Sequence, residues 1–127
     1  LRGSPPGPYA LQAAIAALHA QAPSSDATDW AQIAGLYEVL ARVAPSPVVE
    51  LNRAVAVSMA GGAAAALPMV EALAGSLDES HLLHATRADL LARLGRTGEA
   101  REAYERALGL VRNEPERRLL ARKLASL

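Results

Sequence analysis

The sequence predicts an all-α chain, built as about three helix pairs followed by a closing helix. Three observations predict it. Hydrophobic residues make up 51% of the 127, yet there is no Phe, one Trp and three Tyr. The apolar share is mostly Ala, Leu and Val, a balance that favours helix over sheet. Helix-start and helix-stop residues also punctuate the chain at intervals of about one helix length. Finally, the middle of the chain repeats its own pattern after 34 residues.

The elements follow in order. "SPPGP" (Ser4–Pro8) is unsuited to a helix interior and reads as a lead-in, so residues 1–8 form a linker and 9–127 the helical domain. Leu11, Ile15, Leu18 and Ala22 share one face of a first helix that ends before Pro23. After the "PSSDAT" loop, Asp29 and Gln32 resemble a capping box, and Trp30, Ile33, Tyr37 and Leu40 line the second helix. Ser46 as N-cap and Pro47 at the first position open the third, which Gly61-Gly62 stops. A fourth helix runs from about Ala64 to Ala74, with Pro68 implying a kink or a late start. A fifth runs from about Ser80 to Leu94 and stops at Gly95. Thr97 caps the sixth, and Asn113 with Glu116 caps the seventh.

A shift of 34 residues places Arg53 on Arg87, Ala54 on Ala88, Val57 on Leu91 and Gly61 on Gly95. It also places Ala66 on Ala100, Val70 on Tyr104 and Gly75 on Gly109. A helix–turn–helix unit of this period, with small residues where helices cross, is the signature of a tetratricopeptide-like α-α superhelix. "LGRTGEAREAYERAL" (Leu94–Leu108) matches the second half of such a unit. The first pair fits loosely, as terminal repeats often do. Leu120, Leu124 and Leu127 would let the seventh helix cap the last repeat.

Composition narrows the function. Net charge is zero, so no global field draws the chain to nucleic acid or membrane. Charge is sparse in residues 1–60 and dense after Arg87, ending in Arg117, Arg118, Arg122 and Lys123. The absence of cysteine removes disulfides and thiolate metal sites and suits a reducing cytosol. No apolar run approaches the ~18 residues of a membrane span, and no signal peptide heads the sequence. Leu1 in place of methionine suggests a segment of a longer chain, and the preference for Arg over Lys suggests a GC-rich bacterial genome.

No nucleophile elbow, phosphate-binding glycine loop or paired catalytic carboxylate occurs, so an enzyme is not expected and no cofactor is implied. His81 and His84 stand three apart but lack a third ligand and the HExxH pattern, so no metal site is expected. His19 reads as a helix-surface or interface residue. The candidates are therefore partner-binding residues: Asn52, Arg53, Arg87, Asp89, Arg117, Arg118 and Arg122. Arg53 and Arg87 occupy a repeat position that is ordinarily apolar. Charge-assisted bonds from these two to Glu50, Asp89 or Glu71 would hold the stack together, while a partner's acidic groups are the alternative. Arg117, Arg118 and Arg122 could touch phosphate, but Glu114 and Glu116 offset them and the interleaved aromatics of single-strand binders are absent.

"GPYALQAAIAALHA" (Gly7–Ala20), "DWAQIAGLYEVL" (Asp29–Leu40), "PSPVVELNRAVAV" (Pro45–Val57) and "EPERRLLARKL" (Glu114–Leu124) carry a resemblance. From about Gly7 onward the chain resembles the C-terminal extension of bacterial extracytoplasmic-function RNA polymerase sigma factors common in actinobacteria. The resemblance implies a tetratricopeptide-like domain that follows the promoter-recognition regions and regulates the sigma factor. Its partners would be those regions of the same sigma factor, RNA polymerase or a signalling partner, in the cytoplasm. These 127 residues contain neither the region that melts the −10 element nor the helix-turn-helix that reads the −35 element, so direct DNA recognition is not expected of them. Pro68 departs from the helix that the family continues there. The alternative is a stand-alone tetratricopeptide adaptor that binds a peptide. Against the common carboxylate-clamp form, Leu51, Val55 and Ala85 stand where polar clamp residues would.

Overall fold

A computed structural model describes residues 7–21, without the Gln21 side chain, and 28–127. Among the described residues the chain is all-helical, with no strand. Its seven helices are α1 (Pro8–Gln21), α2 (Trp30–Val43), α3 (Pro47–Gly61), α4 (Ala63–Ala72), α5 (His81–Arg93), α6 (Thr97–Leu110) and α7 (Glu114–Ala125). Ala22, Pro23, most of "PSSDAT" and the lead-in up to Pro6 lie outside the described residues. Pro8 opens α1 instead of closing the lead-in, since a proline loses no helical bond at the first position.

Side-chain caps form at three of the expected starts. The Asp29 carboxylate accepts from the Gln32 N–H at 3.0 Å, and Asn113 Oδ1 accepts from the Glu116 N–H at 2.9 Å. Ser46 Oγ accepts from the Val48 N–H at 3.2 Å. Thr97 is not a cap. The N-cap of α6 is Arg96, because the end of α5 claims the residue before Thr97. Gly95 adopts φ +77° and donates to the Ala92 carbonyl, and the Arg96 N–H reaches the Leu91 carbonyl at 2.9 Å. That is a Schellman ending, and it places the next helical residue at Thr97. The Arg96 guanidinium then pairs with both carboxylate oxygens of Glu99, at 3.1 and 2.6 Å.

The turn after α3 departs from the 34-residue register. Gly62, not Gly61, holds the positive φ of 102°, and Gly61 ends the helix. A single residue joins α3 to α4, against three between α5 and α6. α4 starts at Ala63, so Pro68 does not delay it. Pro68 and Ala64, whose carbonyl lacks the donor, are both exposed, so water can replace the lost bond. α4 also stops at Ala72, short of Ala74. The Leu73 and Ala74 N–H groups turn to carbonyls three residues back, and Gly75 lies beyond the helix, while Gly109 is inside α6.

Packing runs between sequence neighbours, α1 on α2 through to α6 on α7, and α3 also touches α5. Ala54 and Ala88 are fully buried, as are Ala66 and Ala100, so the small side chains that the repeat pairs lie wholly inside the helix packing. Val70 and Tyr104 are likewise both buried.

Two apolar clusters result. Leu11, Ile15, Ile33 and Leu40 meet Ala56 of α3 in one. Leu51 and Ala54, also of α3, join Leu83, Leu90, Leu91, Tyr104 and Leu120 in the other. α3 therefore serves both. Burying a leucine of this kind stabilises by roughly 1.5–3 kcal/mol, so the second cluster, with more large side chains, anchors the face formed by α5 and α7.

Candidate functional site

One face of α5 turns away from the core. Leu82, Thr86, Asp89 and Arg93 recur along it at helical spacing, with Ala85 at its edge packed against the larger cluster, and together they line two surface cavities. The smaller, about 220 Å³, lies between α5 and α7, where Leu82 and Ala85 face Leu119 and Leu120. The larger and more open, about 770 Å³, is bounded by Met59 of α3, Ala92 and Arg93 of α5, and Tyr104 of α6. Leu82 is 54% exposed, Met59 45% and Leu119 43%, so apolar side chains of three helices turn toward this surface.

Asp89 stands between the cavities. Its carboxylate accepts a hydrogen bond from the Tyr104 hydroxyl and receives Lys123 Nζ at 3.1 Å. Burial first, then the bond to Asp89 and its negative charge, push the Tyr104 phenol above its usual range. Burial alone raises Tyr37. At the far end of the smaller cavity, His81 Nε2 meets Glu116 Oε2, a contact that is ionic only when the imidazole is protonated. Lys123–Asp89 thus ties α7 to α5 at one end of the slot, and His81 and Glu116 face each other at the other.

Arg93 is held from α3. One guanidinium nitrogen donates to Ser58 Oγ at 3.0 Å and another to the Ser58 carbonyl at 3.5 Å. Ser58 is 4% exposed, and its own hydroxyl donates to the Val55 carbonyl at 2.7 Å. Both groups that Arg93 touches are neutral. It makes no ion pair among the described residues, and its charge is left facing the larger cavity.

The sequence-derived candidates do not converge. Asp89 lies in the groove, and Asn52 is exposed on the α3 face that carries Met59, two turns away. Arg53 does not tie repeats together. It bonds Glu50 of its own helix at 3.2 Å, a reach of three residues that needs no partner helix. Arg87 does cross, to Glu71 of α4 at 2.7 Å. Arg117 and Arg118 turn back to Glu114, at 3.5 and 3.8 Å, and Arg122 is exposed on α7. Arg93, Met59, Leu82 and Leu119 escaped the sequence reading. The only signal for Arg93 was its place in the last turn of a helix, where a cation is ordinary.

His84 Nε2 donates to the Asp78 carbonyl at 2.8 Å, and His19 meets Trp30 edge-on with centroids 5.1 Å apart. Among the described residues no three His, Cys, Asp or Glu side chains gather to hold a metal ion, and no helix is long and apolar enough to cross a membrane.

No family model matches the chain. It is 53% identical over 116 residues to an uncharacterized protein of Rhizobium meliloti (strain 1021). The match takes in 91% of this chain and 27% of the relative, so the chain spans about a quarter of the length of the curated relative it matches.

Proposed function

We propose that this chain is a tetratricopeptide-like interaction module that regulates an extracytoplasmic-function sigma factor. It would act in the cytoplasm by contacting the promoter-recognition regions, RNA polymerase or a signalling partner. The observation that carries an interaction role is the face shared by α3, α5 and α7. It offers two cavities, exposed Met59, Leu82 and Leu119, and polar groups held in place by neighbouring helices. An apolar surface with fixed polar groups at its margins is what a partner segment needs. The superhelical reading draws support from the 34-residue echo, whose alanine pairs have matching burial, and from packing between consecutive helices. The sigma-factor reading draws on the sequence blocks quoted above. A relative nearly four times the length of the matched segment also suits a module within a larger chain.

The test is transcription in vitro with the Rhizobium meliloti relative, intact and with the matched 116 residues removed. The proposal expects promoter-dependent initiation that changes on removal, and capture of the sigma regions or polymerase by the isolated 127-residue chain. A relative with no polymerase-dependent activity in either form would end the sigma-factor reading. The stand-alone adaptor would then be favoured by the groove itself, which owes nothing to the sigma-factor resemblance.

A further inference from the structure

We propose that the groove takes a segment of a partner protein carrying a large apolar side chain and, about 12 Å further along, an acidic one. This names the partner chemistry of the surface described above. It rests on the chain being an interaction module, not on the sigma-factor assignment.

The apolar half follows from the slot between α5 and α7. At about 220 Å³ it has the volume of one large side chain, with Leu120 and Ala85 beneath and half-exposed Leu82 and Leu119 at its mouth. Burying those two leucines under an occupant removes apolar surface from water, and a polar side chain would gain nothing comparable there. The contacts His81–Glu116 and Asp89–Lys123 close its two ends, so the occupant enters from the open face.

The acidic half follows from the charge balance of the larger cavity. Its charged side chains are Asp89, Lys123 and Arg93. Lys123 offsets Asp89 at 3.1 Å, and no carboxylate of the described residues, the terminal one at Leu127 in the cavity wall included, makes an ion pair with Arg93, so its guanidinium keeps its charge unpaired. The two Ser58 bonds fix that guanidinium without neutralising it, so little side-chain freedom is lost when a carboxylate arrives. An arginine held in this way presents its remaining donors in a planar fork suited to a carboxylate.

The spacing follows from helix geometry. Ala85 at the slot and Arg93 are eight residues apart on one helix, about 12 Å along its axis. An extended segment covers that distance in about four residues, and residues four apart in an extended chain share a face. An apolar residue followed at the fourth position by Glu or Asp therefore addresses both features together.

Fluorescence anisotropy with the 127-residue chain tests this. The probe is a labelled, C-terminally amidated decapeptide of Ser and Gly, with Leu at its third position and Glu at its seventh. We expect saturable binding, weakened about tenfold when the peptide's Glu becomes Gln. Arg93→Gln, which keeps a donor for Ser58, should weaken the Glu peptide by a similar factor and leave the Gln peptide unchanged. Leu82→Glu, at an exposed position that the fold does not need, should abolish binding of both. Circular dichroism melting confirms that each variant is folded.

Three results would overturn the proposal: no binding of the Glu peptide, equal binding of the Glu and Gln peptides, or independent effects of Arg93→Gln and the peptide substitution. Sedimentation showing a dimer that Leu82→Glu dissolves would assign the groove to a second copy of the chain and overturn it also. Peptide binding without any effect on transcription would remove the sigma-factor reading and leave this one standing.

Discussion

Lys123 Nζ on α7 stands 3.1 Å from Asp89 Oδ2 on α5, across 34 residues of sequence, and the Tyr104 hydroxyl of α6 donates to the same carboxylate. One side chain therefore joins three helices and divides the groove. Its two partners differ in burial, and so in what each loses without it. Lys123 is 38% exposed at its side chain and can turn to water, whereas Tyr104 is 3% exposed.

Asp89→Ala should therefore cost about 1–3 kcal/mol, the penalty for an orphaned polar group in a buried setting. Lys123→Ala should cost less than about 1 kcal/mol, because half-exposed ion pairs are screened by solvent. Urea denaturation of the two variants decides it. Equal losses would show that the lysine, not the tyrosine, makes the contact important.

Alkaline pH should destabilise the fold through the same tyrosine. Its phenol is raised above the ordinary value of 10.0 in the folded state, so the protonated form is favoured there. Below about pH 10 both states hold the proton and the stability is fully present; above it the unfolded chain releases the proton first. Stability should then fall by up to about 1.4 kcal/mol per pH unit for this group. Tyr104→Phe should flatten the fall, measured as Tm between pH 8 and pH 11. The slope that remains should include Tyr37, which is raised in the same direction.

Arg53→Met and Arg87→Met should part company. Arg53 pairs within its own helix, so its loss should change stability by about 0.5 kcal/mol or less. Arg87 links α5 to α4, but the Glu71 side chain is 43% exposed, which holds the cost to about 1 kcal/mol. Thermal melting measures both. A loss of several kcal/mol for Arg53→Met would mean that it bears on the stack in a way its contact with Glu50 does not explain.

The α3–α4 turn offers a sharper comparison. Gly62→Ala should destabilise by about 1–3 kcal/mol, since φ 102° with ψ 164° is a region that glycine alone occupies readily. Gly61→Ala should be neutral or stabilise by about 0.5–1 kcal/mol, because Gly61 ends the helix without a positive φ and has open space around it. If the two variants melt alike, the register assigned to this turn is wrong.

Removing Glu114–Leu127 should lower Tm and promote aggregation. Leu120 is 5% exposed within the larger cluster, with Leu124 and Leu127 packed against it. Their loss would uncover the apolar surface they shield. Size-exclusion chromatography and melting report the two effects. A soluble monomer with unchanged Tm would mean that α7 is a detachable arm.

The helices were legible because their signals are local. Asp29, Ser46 and Asn113 announce starts that need only a side-chain oxygen and N–H groups two or three residues on. The buried alanines could be read from a periodicity that one chain displays by itself. Local chemistry did not decide which side chain meets which across helices. Thr97 looks like a cap until the Schellman turn at Gly95 claims the position, and the 34-residue shift puts the turn glycine at Gly61 where Gly62 holds it. Arg53 and Arg87 occupy equivalent places in the repeat. Yet one finds a carboxylate in its own helix and the other in its neighbour, because Glu50 precedes only the first. Arg93 gives no sequence signal beyond its place in the last turn of a helix. Its role in the groove depends on Ser58, 35 residues earlier, and on the absence of a carboxylate partner for it among the described residues, and only the packing of α5 on α3 creates both conditions.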